Sequence, residues 1–123
     1  MSSTAKIRTF QDLEAWQRAH ALVLAVYELT RRYPDDEKFA LTNQSRRAVV
    51  SVSSNISEGF GRTSQRDKYH FYAMAKTSLA ELQNQLIIAH DLTYITDSEF
   101  SRVFATSDEA GALIKGLMRA VSA

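Results

Sequence analysis

The chain has 123 residues and a formal net charge of +1, with 45% hydrophobic and 24% charged residues. This length fits one domain with a single core. The low net charge argues against a strongly basic nucleic-acid-binding protein, although it allows a local basic patch. The absence of cysteine excludes disulfides, thiolate metal sites and a cysteine nucleophile. The N-terminus has no apolar core that could serve as a secretion signal, and no apolar run is long enough for a membrane span, so we expect a cytoplasmic protein without a membrane partner.

The first two predicted helices are delimited by proline and glycine. The first covers about residues 13–32 and is stopped by Pro34, the only proline of the chain. Thr42 is a candidate cap for the second helix. That helix ends at Gly59–Gly61, where glycine readily supplies a left-handed stop.

The third and fourth predicted helices have polar caps. Ser64 precedes a helix over about residues 65–94, and Thr96–Glu99 has the spacing of a capping box that opens the fourth helix. No segment alternates with period two for long enough to indicate a sheet. The sequence therefore predicts an all-α, antiparallel up-down four-helix bundle over residues 10–121, preceded by a flexible tail over residues 1–9.

The first predicted helix is apolar on almost every side. Its apolar residues form two stripes, with Leu13, Trp16, Val23 and Tyr27 in one and Ala15, Ala19, Leu22, Val26, Leu29 and Tyr33 in the other. An isolated bundle leaves roughly half of each helix in water, so it cannot bury both stripes. We expect a homo-oligomer whose interface is formed by Ala15, Ala19, Leu22, Val26 and Leu29. The alternative is one wide core face whose alanines tolerate water.

A polar stripe follows the second helix, where serine and asparagine are poor helix formers. An antiparallel third helix would bring its polar residues level with this stripe. The set comprises Arg46, Arg47, Ser51, Asn55, Glu58, Ser78 and Glu81. We expect an Arg47–Glu81 ion pair bridged by the small polar groups. Two interpretations stay open, a seam that fixes helix register and a site for a ligand or partner.

No catalytic residue, metal site or cofactor is predicted. A di-iron bundle needs Glu-x-x-His pairs that point inward. Here His20, His70 and His90 stand singly, with no carboxylate or histidine three or four residues further on. The chain also lacks a phosphate-binding Walker loop and a dinucleotide fingerprint.

Basic residues concentrate in the middle of the chain, whereas the fourth helix is richer in carboxylates. The candidate nucleic-acid contacts are Arg31, Arg32, Arg62, Arg66, Lys68 and Lys76. A ring of subunits would multiply any basic surface that they form, and phosphate binding would then depend strongly on salt. The alternative is an ordinary solvated charge pattern, since Asp35, Asp36 and Glu37 follow the first arginine pair.

Three blocks of the sequence resemble one known family, the 23S rRNA intervening-sequence proteins, over about Phe10 to Ile95. The blocks read "FQDLEAWQRAHALVLAVYELTRRYP", "FALTNQSRRAVVSVSSNISEGFGR" and "FYAMAKTSLAELQNQLIIAHDLTYI". The signature positions of the family include Arg46, Arg47, Ser51, Asn55, Glu58 and Arg62 in the second block, and Ser78 and Glu81 in the third. Ser45 departs from the pattern, because leucine is usual there.

The resemblance implies a cytosolic bundle assembled into a homopentameric ring, in a family without an established enzymatic activity. Members are encoded within insertions of bacterial 23S rRNA genes or elsewhere in bacterial genomes. We therefore expect a non-enzymatic scaffold or binding protein whose partners are further copies of itself and RNA or a ribonucleoprotein. One alternative is a small-molecule binder or unrecognised enzyme that uses the stripe of Arg47, Ser51, Asn55 and Glu58. Another is an adaptor for a reverse-transcriptase-like protein, as in the related accessory proteins of diversity-generating retroelements.

Overall fold

A computed structural model describes residues 6–122, and over these residues the chain folds into helices and connectors without a strand. The four long helices are α1 (Glu14–Thr30), α2 (Leu41–Gly61), α3 (Gln65–Asp91) and α4 (Asp97–Val121), and short 3-10 turns lie at Phe10–Asp12 and Asp35–Glu37. Each helix packs chiefly against two neighbours, so that α1 and α3 lie diagonally opposite, as do α2 and α4. The predicted all-α fold is confirmed, and its four helices fit a four-helix bundle.

Two predicted helix starts are confirmed at the level of hydrogen bonds. The Ser64 hydroxyl accepts a hydrogen bond from the Asp67 backbone N–H at 3.0 Å. At the start of α4, the Thr96 hydroxyl accepts from the Glu99 N–H at 3.1 Å, and the Glu99 carboxylate accepts from the Thr96 N–H at 2.9 Å. These bonds satisfy backbone donors that the first turn of a helix leaves without partners.

The residues predicted to cap the two ends of α2 do not cap it in the predicted way. Thr42 lies inside the first turn and is buried, and the Glu37 carboxylate, from the preceding turn, accepts a hydrogen bond from the Leu41 N–H at 3.2 Å. No glycine among the described residues has a positive φ. Gly59 instead permits close packing, because a Cβ atom there would lie 2.7 Å from Cε1 of Tyr72 on α3.

The predicted oligomer interface is wrong, because its residues lie in the core of the single chain. The residues assigned to that interface are all buried within the single chain: Ala15, Ala19, Leu22, Val26 and Leu29. They belong to the same cluster as the apolar faces of the other three helices. The two alanines are small enough to let α1 approach its neighbours closely, so the stripe that contains them forms the core face. The opposite stripe is the one left partly in water, with Leu13, Trp16 and Val23 half-buried and Tyr27 exposed.

Residues 1–5 of the predicted N-terminal tail lie outside the described residues. Arg8 and Thr9 donate backbone hydrogen bonds to the Asp12 carboxylate at 2.9 and 3.0 Å, and these bonds lower the pKa of Asp12. The division into a tail over 1–9 and a domain over 10–121 stays a prediction. Within residues 6–122, none of the helices combines the length and the apolar character that crossing a bilayer requires.

Candidate functional site

A closed hydrogen-bond network joins α2 to α3 halfway along their contact. The hydroxyl oxygens of Ser51 and Ser78 lie 2.8 Å apart. The Asn55 amide donates to the Ser51 hydroxyl at 3.0 Å and to the Ser51 carbonyl at 2.9 Å. We call these three residues the polar seam. Its members satisfy one another and are buried or half-buried, as expected of a seam between packed helices.

A groove of about 430 Å³ opens beside the polar seam, lined by Gln44, Arg47, Ala48, Ser51, Ser78, Glu81 and Gln85. The predicted Arg47–Glu81 ion pair is wrong, because no Arg47–Glu81 contact falls within the 4.0 Å that defines an ion pair among the described residues. Both side chains are exposed. Exposed ion pairs contribute little, so water competes successfully for such groups. The groove also contains the buried Gln85 Oε1 atom, which has no hydrogen-bond partner among the described residues.

The other two members of the predicted stripe lie away from the seam. Glu58 pairs with Arg62 at 2.9 Å in the exposed last turn of α2. Arg46 turns towards α1, where its Nε atom donates to the Thr30 hydroxyl at 2.8 Å and its guanidinium lies 4.6 Å from the ring centre of Tyr27. The predicted stripe therefore divides into a seam, a groove and two separate pairs.

The candidate nucleic-acid residues at the end of α1 have carboxylate partners. Arg31 contacts Glu28 at 3.3 Å, with both side chains exposed. Arg32 donates to the Glu99 carboxylate at the start of α4. The Thr96 N–H, followed by the Arg32 guanidinium, holds the pKa of Glu99 below its usual value. Arg32 thus supports the α4 capping box.

The remaining candidate nucleic-acid residues belong to the other half of the molecule. Lys68 donates to the carbonyls of Phe60 at 2.7 Å and Gly59 at 3.3 Å, and so caps the end of α2. Arg66 and Lys76 are exposed and have no ion-pair partner among the described residues. Arg62, Arg66 and Lys68 lie at the far end of the 21-residue helix α2 from Arg31 and Arg32, about 30 Å away, so the six predicted residues do not form one surface.

The histidines do not form a metal site with other described residues, since no three His, Cys, Asp or Glu side chains in that part of the chain converge suitably. His20 stacks on Trp16 with ring centres 4.7 Å apart. His90 contacts the Asp97 carboxylate at 2.6 Å and stacks on Phe100. Sequence spacing missed the His90–Asp97 pair because it bridges the turn between α3 and α4.

Two exposed apolar patches stand out on the surface. The α1/α2 patch consists of Leu24, Tyr27 and Val50, and the α3 patch consists of Ile87, Ile88 and Leu92. Leu24 is 60% exposed and Leu92 is 50% exposed. Of these residues, the sequence reasoning had assigned only Tyr27 to an apolar stripe. The missed signal was a surplus of large apolar residues beside stripes that already fill the core.

Comparisons with known proteins agree with this architecture. A family model described as 23S rRNA-intervening sequence protein matches residues 11–116. A crystal structure of a protein of unknown function from the S23 ribosomal protein family of Bacteroides thetaiotaomicron is similar, with a TM-score of 0.78 and 19% sequence identity. The match covers 85% of this chain and 97% of that chain, and at this identity it shows the shared fold alone. A search of the curated proteins finds no significant match.

Proposed function

This chain belongs to the 23S rRNA-intervening sequence protein family, and from that premise we propose that it is a non-enzymatic binding protein that assembles into a homopentameric ring. We further propose RNA or a ribonucleoprotein as the partner of the ring. The observation that carries the assembly is the pair of different apolar patches, one across α1 and α2 and the other on α3. Exposed apolar patches on soluble domains mark interaction sites.

The positions of the patches favour a closed ring. A head-to-tail interface needs two different complementary surfaces on each subunit, and a ring closes when the rotation between subunits has no translation along the axis. Leu24 lies six residues before the end of α1, and Ile87 lies four residues before the end of α3. Both helices end at the same end of the bundle, so the heights of Leu24 and Ile87 differ by about two residues, or 3 Å.

The proposal that RNA is the partner rests on the family match and on the repetition of basic groups around a ring. The matched family is described by an intervening sequence of 23S rRNA, and the similar crystal structure is described as a ribosomal protein family member. A ring presents every basic group of the subunit several times on one particle. Phosphate contacts from several subunits act together on one polyanion.

A second candidate, a small-molecule binder, is favoured by the groove beside the polar seam. That groove brings together the exposed charges of Arg47 and Glu81 and the unpartnered Gln85 Oε1 atom. A metabolite that raises the Tm of the chain but leaves that of a Glu81→Gln variant unchanged would support this candidate.

Native mass spectrometry with light scattering tests the assembly. We expect a single species with the mass of five copies of the 13.9 kDa chain. A closed ring of another order would overturn the pentamer but keep head-to-tail assembly. A lone 13.9 kDa chain at micromolar concentration would overturn the proposed assembly altogether.

A further inference from the structure

A second groove, which we call the α3/α4 groove, runs between those two helices. Its central part measures about 350 Å³ and extends towards Gln83, Ser107 and Asp108. An adjoining hollow of about 220 Å³ extends towards Tyr69 and Ser122. Lys76, Lys115 and Arg119 line both parts.

Small residues create the α3/α4 groove. Ala80 on α3 and Gly111 and Ala112 on α4 line it, where larger side chains would fill the space. A Cβ atom on Gly111 would lie 3.1 Å from Cδ2 of Leu79, so the helices are already in close contact below the groove. The result is an apolar floor between two polar walls.

The charges around this groove are unbalanced. Lys115 and Arg119 lie one turn apart on the same face of α4, and like charges at this spacing repel each other. Neither they nor Lys76 have a carboxylate within 4.0 Å in the part of the chain that the structure describes. The one lining carboxylate, that of Asp108, lies two turns from Lys115 and accepts a hydrogen bond from Gln83 at 2.8 Å. An anion between the three basic side chains would relieve their repulsion.

We propose that the α3/α4 groove binds the phosphate backbone of single-stranded RNA, with Tyr69 stacking on a base. This assignment rests on the proposed RNA partner. The groove is open and extends about 21 Å along α3 from Tyr69 to Gln83, whereas small-molecule sites enclose most of their ligand. Tyr69 is 41% exposed beside the cations. Cationic grooves with exposed aromatic rings are the usual means of binding single strands.

Fluorescence anisotropy with a labelled single-stranded RNA at several salt concentrations tests the assignment. The triple variant Lys76→Gln/Lys115→Gln/Arg119→Gln should bind at least tenfold more weakly than the unmodified chain. Its slope of log K against log salt should be smaller by about 2, since each lost phosphate contact removes about 0.7. Tyr69→Ala should weaken binding about tenfold with the slope unchanged, because stacking releases no counterions.

The matched control removes three exposed charges elsewhere, as Arg18→Gln/Lys38→Gln/Arg102→Gln. It should keep most of the affinity and the slope, and circular dichroism should show the same helix content in all variants. Equal losses in both triple variants, or none in the groove variant, would overturn the groove assignment while leaving RNA as the partner. An unmodified chain that binds no RNA even at low salt would overturn both proposals about RNA.

Discussion

Buried hydroxyl groups show how strongly the surroundings of a single residue affect this bundle. Ser45 on α2 and Ser107 on α4 are both buried in helices. The Ser107 hydroxyl donates to the Phe104 carbonyl at 2.6 Å and accepts from the Gln83 amide at 2.8 Å. The Ser45 hydroxyl has no partner among the described residues. An unpaired buried polar atom costs about 1–3 kcal/mol, so the two serines should differ in their contribution to stability.

We expect Ser45→Ala to raise the free energy of unfolding by about 1 kcal/mol, because it removes an unpaired buried hydroxyl and adds helix propensity. Ser107→Ala gains the same propensity but breaks hydrogen bonds, so it should lower the free energy of unfolding by about 1 kcal/mol. Urea unfolding at one fixed protein concentration measures both values. A loss of stability in Ser45→Ala that equals the loss in Ser107→Ala would contradict the assignment.

The same contrast limits what the sequence could predict about the polar seam. Wheel positions placed Ser78 beside the α2 stripe, and in the structure its hydroxyl meets that of Ser51, because short side chains remain close to their backbone. They failed for Arg47 and Glu81, whose long side chains extend to water at the edges of the groove. Helix register is readable from residue spacing, whereas the conformation of an exposed, flexible side chain depends on solvent as much as on its neighbours.

The helices α2 and α3 pack tightly where Gly59 faces Tyr72. A methyl group at residue 59 would approach the buried Tyr72 ring to 2.7 Å and the Phe71 Cβ atom to 3.2 Å. The ring is 3% exposed and therefore has little room to move. By contrast, Gly116 in α4 has no heavy atom within 4 Å of the position where a Cβ atom would stand.

We expect Gly59→Ala to lower the free energy of unfolding by about 1–2 kcal/mol, because overpacking outweighs the gain in helix propensity. The matched substitution Gly116→Ala should raise it by about 0.5–1 kcal/mol, since only the propensity gain remains. Thermal and urea unfolding followed by circular dichroism provide the comparison. A stabilising effect of both alanines would mean that α2 and α3 separate without cost at this point.

Whole helices were predictable to different extents. On α3 the apolar residues that recur at near-heptad spacing in the sequence are all buried: Tyr72, Ala75, Leu79, Leu82, Leu86 and Ala89. In α1 two apolar stripes compete, and periodicity alone does not say which one faces the core. The stripe with the smaller residues Ala15 and Ala19 faces the core, because alanines let neighbouring helices pack closely. The sequence therefore indicated a surplus of apolar surface, but assigned it to the wrong face.

At the scale of the whole molecule, the proposed subunit interface and the proposed RNA groove occupy different levels of the bundle. The α1/α2 patch and the α3 patch lie towards the end where α1 and α3 terminate, and the α3/α4 groove begins near Tyr69 at the start of α3. The end of the bundle where α1 and α3 terminate is rich in exposed apolar side chains, including the 86% exposed Phe39. The groove extends up α3 to Gln83, one turn from Ile87, so the proposed RNA site and the proposed subunit interface adjoin each other on α3.

Head-to-tail assembly through two different patches makes a prediction that a two-fold symmetric interface does not. Leu24→Lys disables the α1/α2 patch and Ile87→Lys disables the α3 patch, so each variant alone should be a monomer by light scattering, because a buried unpaired lysine opposes association. Mixing the two variants leaves one intact patch of each kind, and we expect a 1:1 dimer that grows no further. The control Ala105→Lys, exposed on α4 outside both patches, should keep the full assembly. If Ile87→Lys alone still assembled like the unmodified chain, the α3 patch would have no part in the interface, and a symmetric contact through α1 would replace the ring.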